Sequence, residues 1–166
     1  PVCAGCHSFL ITNEKVICTL CRHNIPQTNH HLNPDNEAFN KFYGRIPLEH
    51  TSALMYFHKK GIVQELIHNL KYKGQEKIGT ILGEWYAEDL KNSEILQSVD
   101  EIIPVPLHKR RLRERGYNQL TNFGLTLSKR LNIDYNPNLL VRNVYSKTQS
   151  KKNLWNRSEG IDATFD

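Results

Sequence analysis

A chain of 166 residues can build one moderate hydrophobic core with a small appendage. Its 39% hydrophobic and 23% charged content fit a soluble globular protein somewhat poor in apolar residues, and no stretch approaches the roughly 18 consecutive apolar residues of a membrane span. No charged-then-apolar signal segment opens it, so a cytoplasmic location is the expectation. The formal charge of +5 is modest, but ten of the 22 Lys and Arg residues lie in two short segments, which points beyond a solvated basic face to a polyanion partner.

All four cysteines fall within the first 21 residues, as Cys3-Ala4-Gly5-Cys6 and Cys18-Thr19-Leu20-Cys21. Each C-x-x-C turn offers two thiolates, and eleven intervening residues can fold back as a hairpin. Four sulfurs suit a structural Zn²⁺ ion, which accepts a tetrahedral thiolate shell and does no redox chemistry. Two disulfides or a redox pair are the alternatives. A cytoplasmic setting weighs against stable disulfides, and the βαβ context of a thioredoxin-like motif is missing. His7 and His23 adjoin cysteines, but Cys3, Cys6, Cys18 and Cys21 already complete a shell. So short a segment depends on the metal to fold.

Residues 24–50 carry three prolines and several asparagines and read as irregular connection, with one helical turn around 36–43. His30 and His31 sit there as candidate second-metal ligands or, more simply, as exposed loop histidines. Residues 51–57 read as a strand. Ile62, Val63, Leu66, Ile67 and Leu70 predict an amphipathic helix ending near Gly74. A second helix over 76–90 buries Ile78, Ile81, Leu82, Trp85 and Tyr86.

Residues 100–105 predict a buried strand that stops at Pro104 and Pro106. Lys109, Arg110, Arg111, Arg113 and Arg115 follow as a cationic loop, broken only by Glu114. Gly116 then leads into a helix over 118–131 with an apolar stripe of Leu120, Phe123, Leu127 and Leu131. Residues 139–142 predict a short strand. The second basic segment, Arg142, Lys147, Lys151, Lys152 and Arg157, contains no acid and reads as a mobile loop, with one more short strand at 163–165. Alternating strands and helices predict an α/β fold, a mostly parallel sheet with helices on its faces. Too few strands are predicted for a complete sheet of the usual five or so, so the chain is expected to stop within a domain.

Four segments together resemble the ComF family of phosphoribosyltransferase-like proteins linked to competence and DNA uptake. They are the Cys3–Cys21 knuckle, Leu70-Lys71-Tyr72-Lys73-Gly74, the run from Ile103-Pro104-Val105-Pro106-Leu107 through Arg113-Glu114-Arg115-Gly116-Tyr117-Asn118-Gln119, and Leu140-Val141-Arg142 with Thr148-Gln149 and Asn156-Arg157. The Pro104 to Gln119 run is the specific part. The resemblance implies a zinc knuckle over 1–28, a linker over 29–50, and over 51–166 the N-terminal part of an incomplete type I phosphoribosyltransferase-like sheet with helices on both faces. Lys109, Arg110, Arg111, Arg113, Arg115, Gly116 and Asn118 would then meet the pyrophosphate of phosphoribosyl pyrophosphate. Arginine forks would hold its oxygens and Gly116 would let backbone approach at the next helix N-terminus. Arg142, Lys151, Lys152 and Arg157 would belong to a flexible loop closing over the leaving group. Mg²⁺ would accompany the sugar diphosphate, and catalysis would be mainly leaving-group stabilisation.

The family's paired-aspartate Thr-Thr-Gly loop, which cradles the ribose 5′-phosphate, has no counterpart here. This chain alone is therefore expected to be inactive, and no catalytic residue is assigned. Phosphoribosyl transfer in a full-length form is the first expectation. A non-catalytic accessory factor of DNA uptake, holding single-stranded DNA with its knuckle and basic loops, is the second. Docking of a DNA-uptake helicase by the knuckle is a third.

Overall fold

A computed structural model describes residues 1–145 and 165–166. The first 25 residues form the expected knuckle. An antiparallel bridge joins Val2 to Phe9, and the Ala4 N–H donates to the Val16 carbonyl at 2.8 Å. Helix α1 (Thr19–Asn24) starts at Cys18, whose sulfur accepts the Cys21 N–H and so caps the helix. A 3₁₀ turn at His30–Leu32 and the four-residue α2 (Glu37–Asn40) follow. Asn36 caps α2 by accepting the Ala38 and Phe39 N–H groups, so the turn expected at 36–43 is present.

Residues 51–57 do not form the expected strand. They run back beside 26–28 instead, with one antiparallel bridge between Gln27 and Met55 and a bond from Tyr56 N–H to the Pro26 carbonyl. Pro26 has no N–H to extend that ladder.

The apolar periodicities at 62–74 and 76–90 become α3 (Ile62–Tyr72) and α4 (Lys77–Leu90). Val63, Leu66 and Leu70 of α3 share one core with Ile78 and Leu82 of α4 and with Cys3, Ala4, Cys18, Cys21 and Ile25 of the knuckle. The knuckle is thus continuous with the main body. A second core joins Tyr86, Ala87 and Leu90 of α4 to Leu127 of α6 (Thr121–Leu131), with Phe123, Leu131 and Ile102 packed against it. Gly79 and Gly83 let these two helices approach closely. A Cβ on Gly83 would stand 2.9 Å from both the Phe123 carbonyl oxygen and the Thr126 Cβ.

Strand β1 (Glu101–Ile102) pairs in parallel with β2 (Asp134–Tyr135), and α5 (Lys109–Arg115) and α6 make the crossover between them. Pairing is narrower than the expected 100–105 because Pro104 and Pro106 lack the donors a ladder needs. The strand expected at 139–142 is reduced to a single antiparallel bridge, Arg142 with Phe165, flanked by reciprocal bonds between Val141 and Asp166. β2 lies between the predicted helix over 118–131 and the predicted strand at 139–142, where no element was expected. The described residues therefore form a helix-rich mixed fold with a two-stranded parallel sheet and an N-terminal four-cysteine cluster. No described helix is long and apolar enough to cross a membrane.

The cationic segment departs from expectation. Residues 109–115 are helix α5, not a loop. His108 Nδ1 accepts the Arg110 N–H at 3.2 Å to cap it. Glu114 then lies one turn below Arg110 and Arg111, at 3.2 and 3.1 Å. Such pairs at i, i+3 and i, i+4 suit a helix and relieve its like-charge repulsion.

Candidate functional site

The four cysteine sulfurs lie within 4.8 Å of one another, and none is in a disulfide. Cys6 and Cys18 are 3.7 Å apart. Sulfurs about 2.3 Å from a shared tetrahedral ion would stand ~3.8 Å from each other, so the cluster is close to that shape. Cys3, Cys18 and Cys21 are buried and Cys6 is exposed. Backbone donors already face the sulfurs. Gly5 and Cys18 N–H groups point at Cys3 Sγ at 3.4 and 3.2 Å, and Cys21 N–H points at Cys18 Sγ at 3.4 Å.

These surroundings split the four thiols. Hydrogen bonds from Ser8 draw Cys6 down to about 6. At Cys3 burial opposes ionisation, but the Cys18, Cys6 and Gly5 N–H groups outweigh it and leave the thiol below its usual value. Burial, helped by neighbouring sulfurs, pushes Cys21 well up. At Cys18 the Cys21 N–H favours the thiolate, yet burial and the Cys3 and Cys6 sulfurs leave it raised. A cation among the four offsets that burial cost, because metal ligation deprotonates a thiol. The cluster can hold a metal ion.

Among the described residues no other group of three or more His, Cys, Asp or Glu side chains is close enough to share one. His7 turns away to Glu65, at 3.2 Å. His30 is buried, takes the Ala53 N–H on Nδ1 and stands 3.5 Å from Glu37. The knuckle is fastened to α3 by Asn69, which is fully buried and donates from Nδ2 to the Ala4 carbonyl at 2.8 Å.

The next residue, Leu70, accepts a bond on its carbonyl from the Tyr117 hydroxyl, which brings the turn after α5 onto the end of α3. Between them is a cavity of about 190 Å³ lined by Lys71, Tyr72, Arg111, Glu114, Arg115 and Tyr117. Burial and then the Arg115 charge push the Lys71 amine below its ordinary range. Burial and then Arg111 do the same at Arg115. Among the described residues, three cations thus share one recess with a single carboxylate. Glu114 is bonded first to Arg111 and then to Arg110 and Tyr145, which hold its carboxyl below the usual range. Lys71 has no hydrogen-bond or ion-pair partner among the described residues.

Of the residues singled out from sequence, Arg111 and Arg115 meet in this cavity. Lys109 and Arg113 are exposed outside it. Arg110 lies over the Tyr145 ring at 4.6 Å. Gly116 ends α5 in the left-handed region at φ 86° and does not open the next helix, which starts at Thr121. Asn118 is a turn residue, donating to the Val105 carbonyl at 3.1 Å and accepting the Leu120 N–H at 3.0 Å. Arg142 reaches the Val144 carbonyl and lies over Phe165. Lys151, Lys152 and Arg157 lie outside the described residues. Lys71 was missed as a site residue. Its segment carried the resemblance, but nothing local links it to residues forty positions on. Comparisons with family models, curated proteins and solved structures give no match to this chain.

Proposed function

We propose that the chain is a phosphoribosyltransferase-family protein of the ComF type, whose Lys71–Arg111–Arg115 recess takes the diphosphate of phosphoribosyl pyrophosphate and whose knuckle holds a structural zinc ion. The observation that carries this reading is Lys71, a part-buried ammonium with no anionic partner among the described residues, in one cavity with two guanidinium groups. Such a gathering costs folding energy that a bound polyanion returns. Arg111 and Arg115 present planar forks to phosphate oxygens, and Lys71 a point charge. In phosphoribosyl transfer the same cations would stabilise charge developing on departing pyrophosphate. Mg²⁺ would share the diphosphate oxygens. No described residue is assigned to the ribose 5′-phosphate, so binding is the activity proposed for this chain. Zinc is favoured at the knuckle because four thiolates with no open position suit a structural, redox-inert ion.

Calorimetric titration with inorganic pyrophosphate and with phosphoribosyl pyrophosphate, each with and without Mg²⁺, tests the reading. Both ligands should bind with similar affinity, and Lys71→Met or Arg115→Gln should weaken each by about 10- to 100-fold, the worth of one charge-assisted contact. Equal binding by wild type and both variants would refute it.

Single-stranded DNA is the second reading, favoured by rings set beside the cations. Arg110 lies over Tyr145, Arg115 over Tyr72, and His108 is edge-on to Tyr145. Bases can stack on such rings while the phosphates meet the cations. Affinity for an oligonucleotide would then fall steeply with salt and with Tyr145→Ala. Pyrophosphate binding would be indifferent to that substitution, since Tyr145 does not line the recess.

A further inference from the structure

Lys71 differs from the other lysines near it. Lys59, Lys60 and Lys73 are exposed, and Lys73 has Glu65 at 3.8 Å. Lys71 is half-buried in the recess, and Arg111 and Arg115 line the same wall. Among the described residues, the remaining titratable groups that face it are Glu114, Tyr72 and Tyr117, and Glu114 is already committed to the α5 arginines. Among the described residues the amine therefore stands without a carboxylate to hold its proton. Burial and the Arg115 charge both favour its neutral form. A desolvated lysine beside another cation is the usual setting of a nucleophilic amine.

We infer that Lys71 is a site of acylation by small acyl phosphates, which the recess captures by their phosphate group. The inference rests on the phosphate-binding reading of the recess. Arg111 and Arg115 would grip the phosphate and leave the mixed-anhydride carbonyl beside Lys71 Nζ. The fraction of the amine that has given one proton to water attacks the carbonyl carbon. The carbon–oxygen bond to phosphate breaks, and inorganic phosphate leaves with the electron pair. The new nitrogen–carbon bond becomes an amide once the nitrogen gives its second proton to water. No oxidant, reductant or further reactant is needed. The product has two cations in the recess instead of three and an acyl group in the space, so acylation would switch off diphosphate binding.

The test is a time course of intact chain with acetyl phosphate, read by peptide mass spectrometry. Lys71 should be acetylated at least about tenfold faster than exposed Lys59 and Lys60, the advantage coming from donor capture. Saturating inorganic pyrophosphate should remove that advantage and leave Lys59 and Lys60 unchanged. With p-nitrophenyl acetate, which has no phosphate, the preference should disappear. Arg111→Gln with Arg115→Gln should abolish it for acetyl phosphate, with circular dichroism confirming the fold. Acetylation of Lys71 no faster than of Lys59 overturns the inference. So does an equal preference with the phosphate-free donor, which would mark a merely reactive amine. Calorimetry separates the two layers. Absence of pyrophosphate binding refutes the parent reading, whereas binding without selective acetylation refutes only this one.

Discussion

Replacing Asn69 by alanine tests how firmly the knuckle depends on α3. The side chain is wholly buried, its Nδ2 holds the Ala4 carbonyl at 2.8 Å, and its Oδ1 is buried with no partner among the described residues. Truncation leaves the Ala4 carbonyl without that donor, a cost of about 1–3 kcal/mol. It also removes the orphaned Oδ1, which returns up to roughly 1 kcal/mol. The net loss is about 1–2 kcal/mol. The bond exists only when the Cys3–Cys6 turn is folded, and a metal held by the four cysteines would bind in step with that folding. The loss should therefore appear as metal affinity weakened about 5- to 30-fold. Competition against a chromophoric chelator measures this on the full chain. An affinity within about twofold of wild type, with a lowered melting temperature, would show that Asn69 stabilises α3 without supporting the metal turn.

Gly83→Ala should destabilise the fold despite improving helix propensity. The gain is about 1 kcal/mol, while a methyl 2.9 Å from the Phe123 carbonyl oxygen costs roughly 1–3 kcal/mol of overpacking, and denaturant titration reads the difference. Tyr86 is buried and bonded to the Ser52 hydroxyl, and burial raises its phenol above the ordinary tyrosine range. Above pH ~10 the unfolded chain loses this proton before the folded one, so stability should fall from there up through the raised folded value. Tyr86→Phe should flatten that alkaline fall in pH-dependent melts. Chelation of a metal held by the cysteines should release amides of residues 1–25 to rapid hydrogen exchange while α4 and α6 stay protected.

Three helices were readable to within three residues at either end, because α3, α4 and α6 each bury one stripe and periodicity reports a stripe directly. The cysteine cluster was readable because its spacing is its chemistry. The sheet was readable only in part. β1 lies within the strand expected at 100–105 and its pairing is parallel as expected. Its partner β2 is two residues placed where α6 returns the chain, which no local pattern encodes. The segment at 51–57 has strand composition yet finds 26–28 as its neighbour. At α5 the run of charges suggested a loop, whereas its Arg–Glu spacing and the His108 cap favour helix. Arg111 and Arg115 were legible as candidates by charge. Lys71 needed the tertiary contact between Tyr117 and Leu70.

None of the seven residues of α5 is fully buried, although it carries most of the candidate ligand-binding charge. Its neighbours on either side are anchored, β1 by pairing with β2 and α6 by the close glycine contact with α4. A short helix slung between two fixed ends opens locally for much less than the global unfolding energy. Its amides should then exchange far sooner than those of α4, and an anion bridging Arg111 to Lys71 would tie the sling to α3. The protection gained there would measure the ordering that binding imposes.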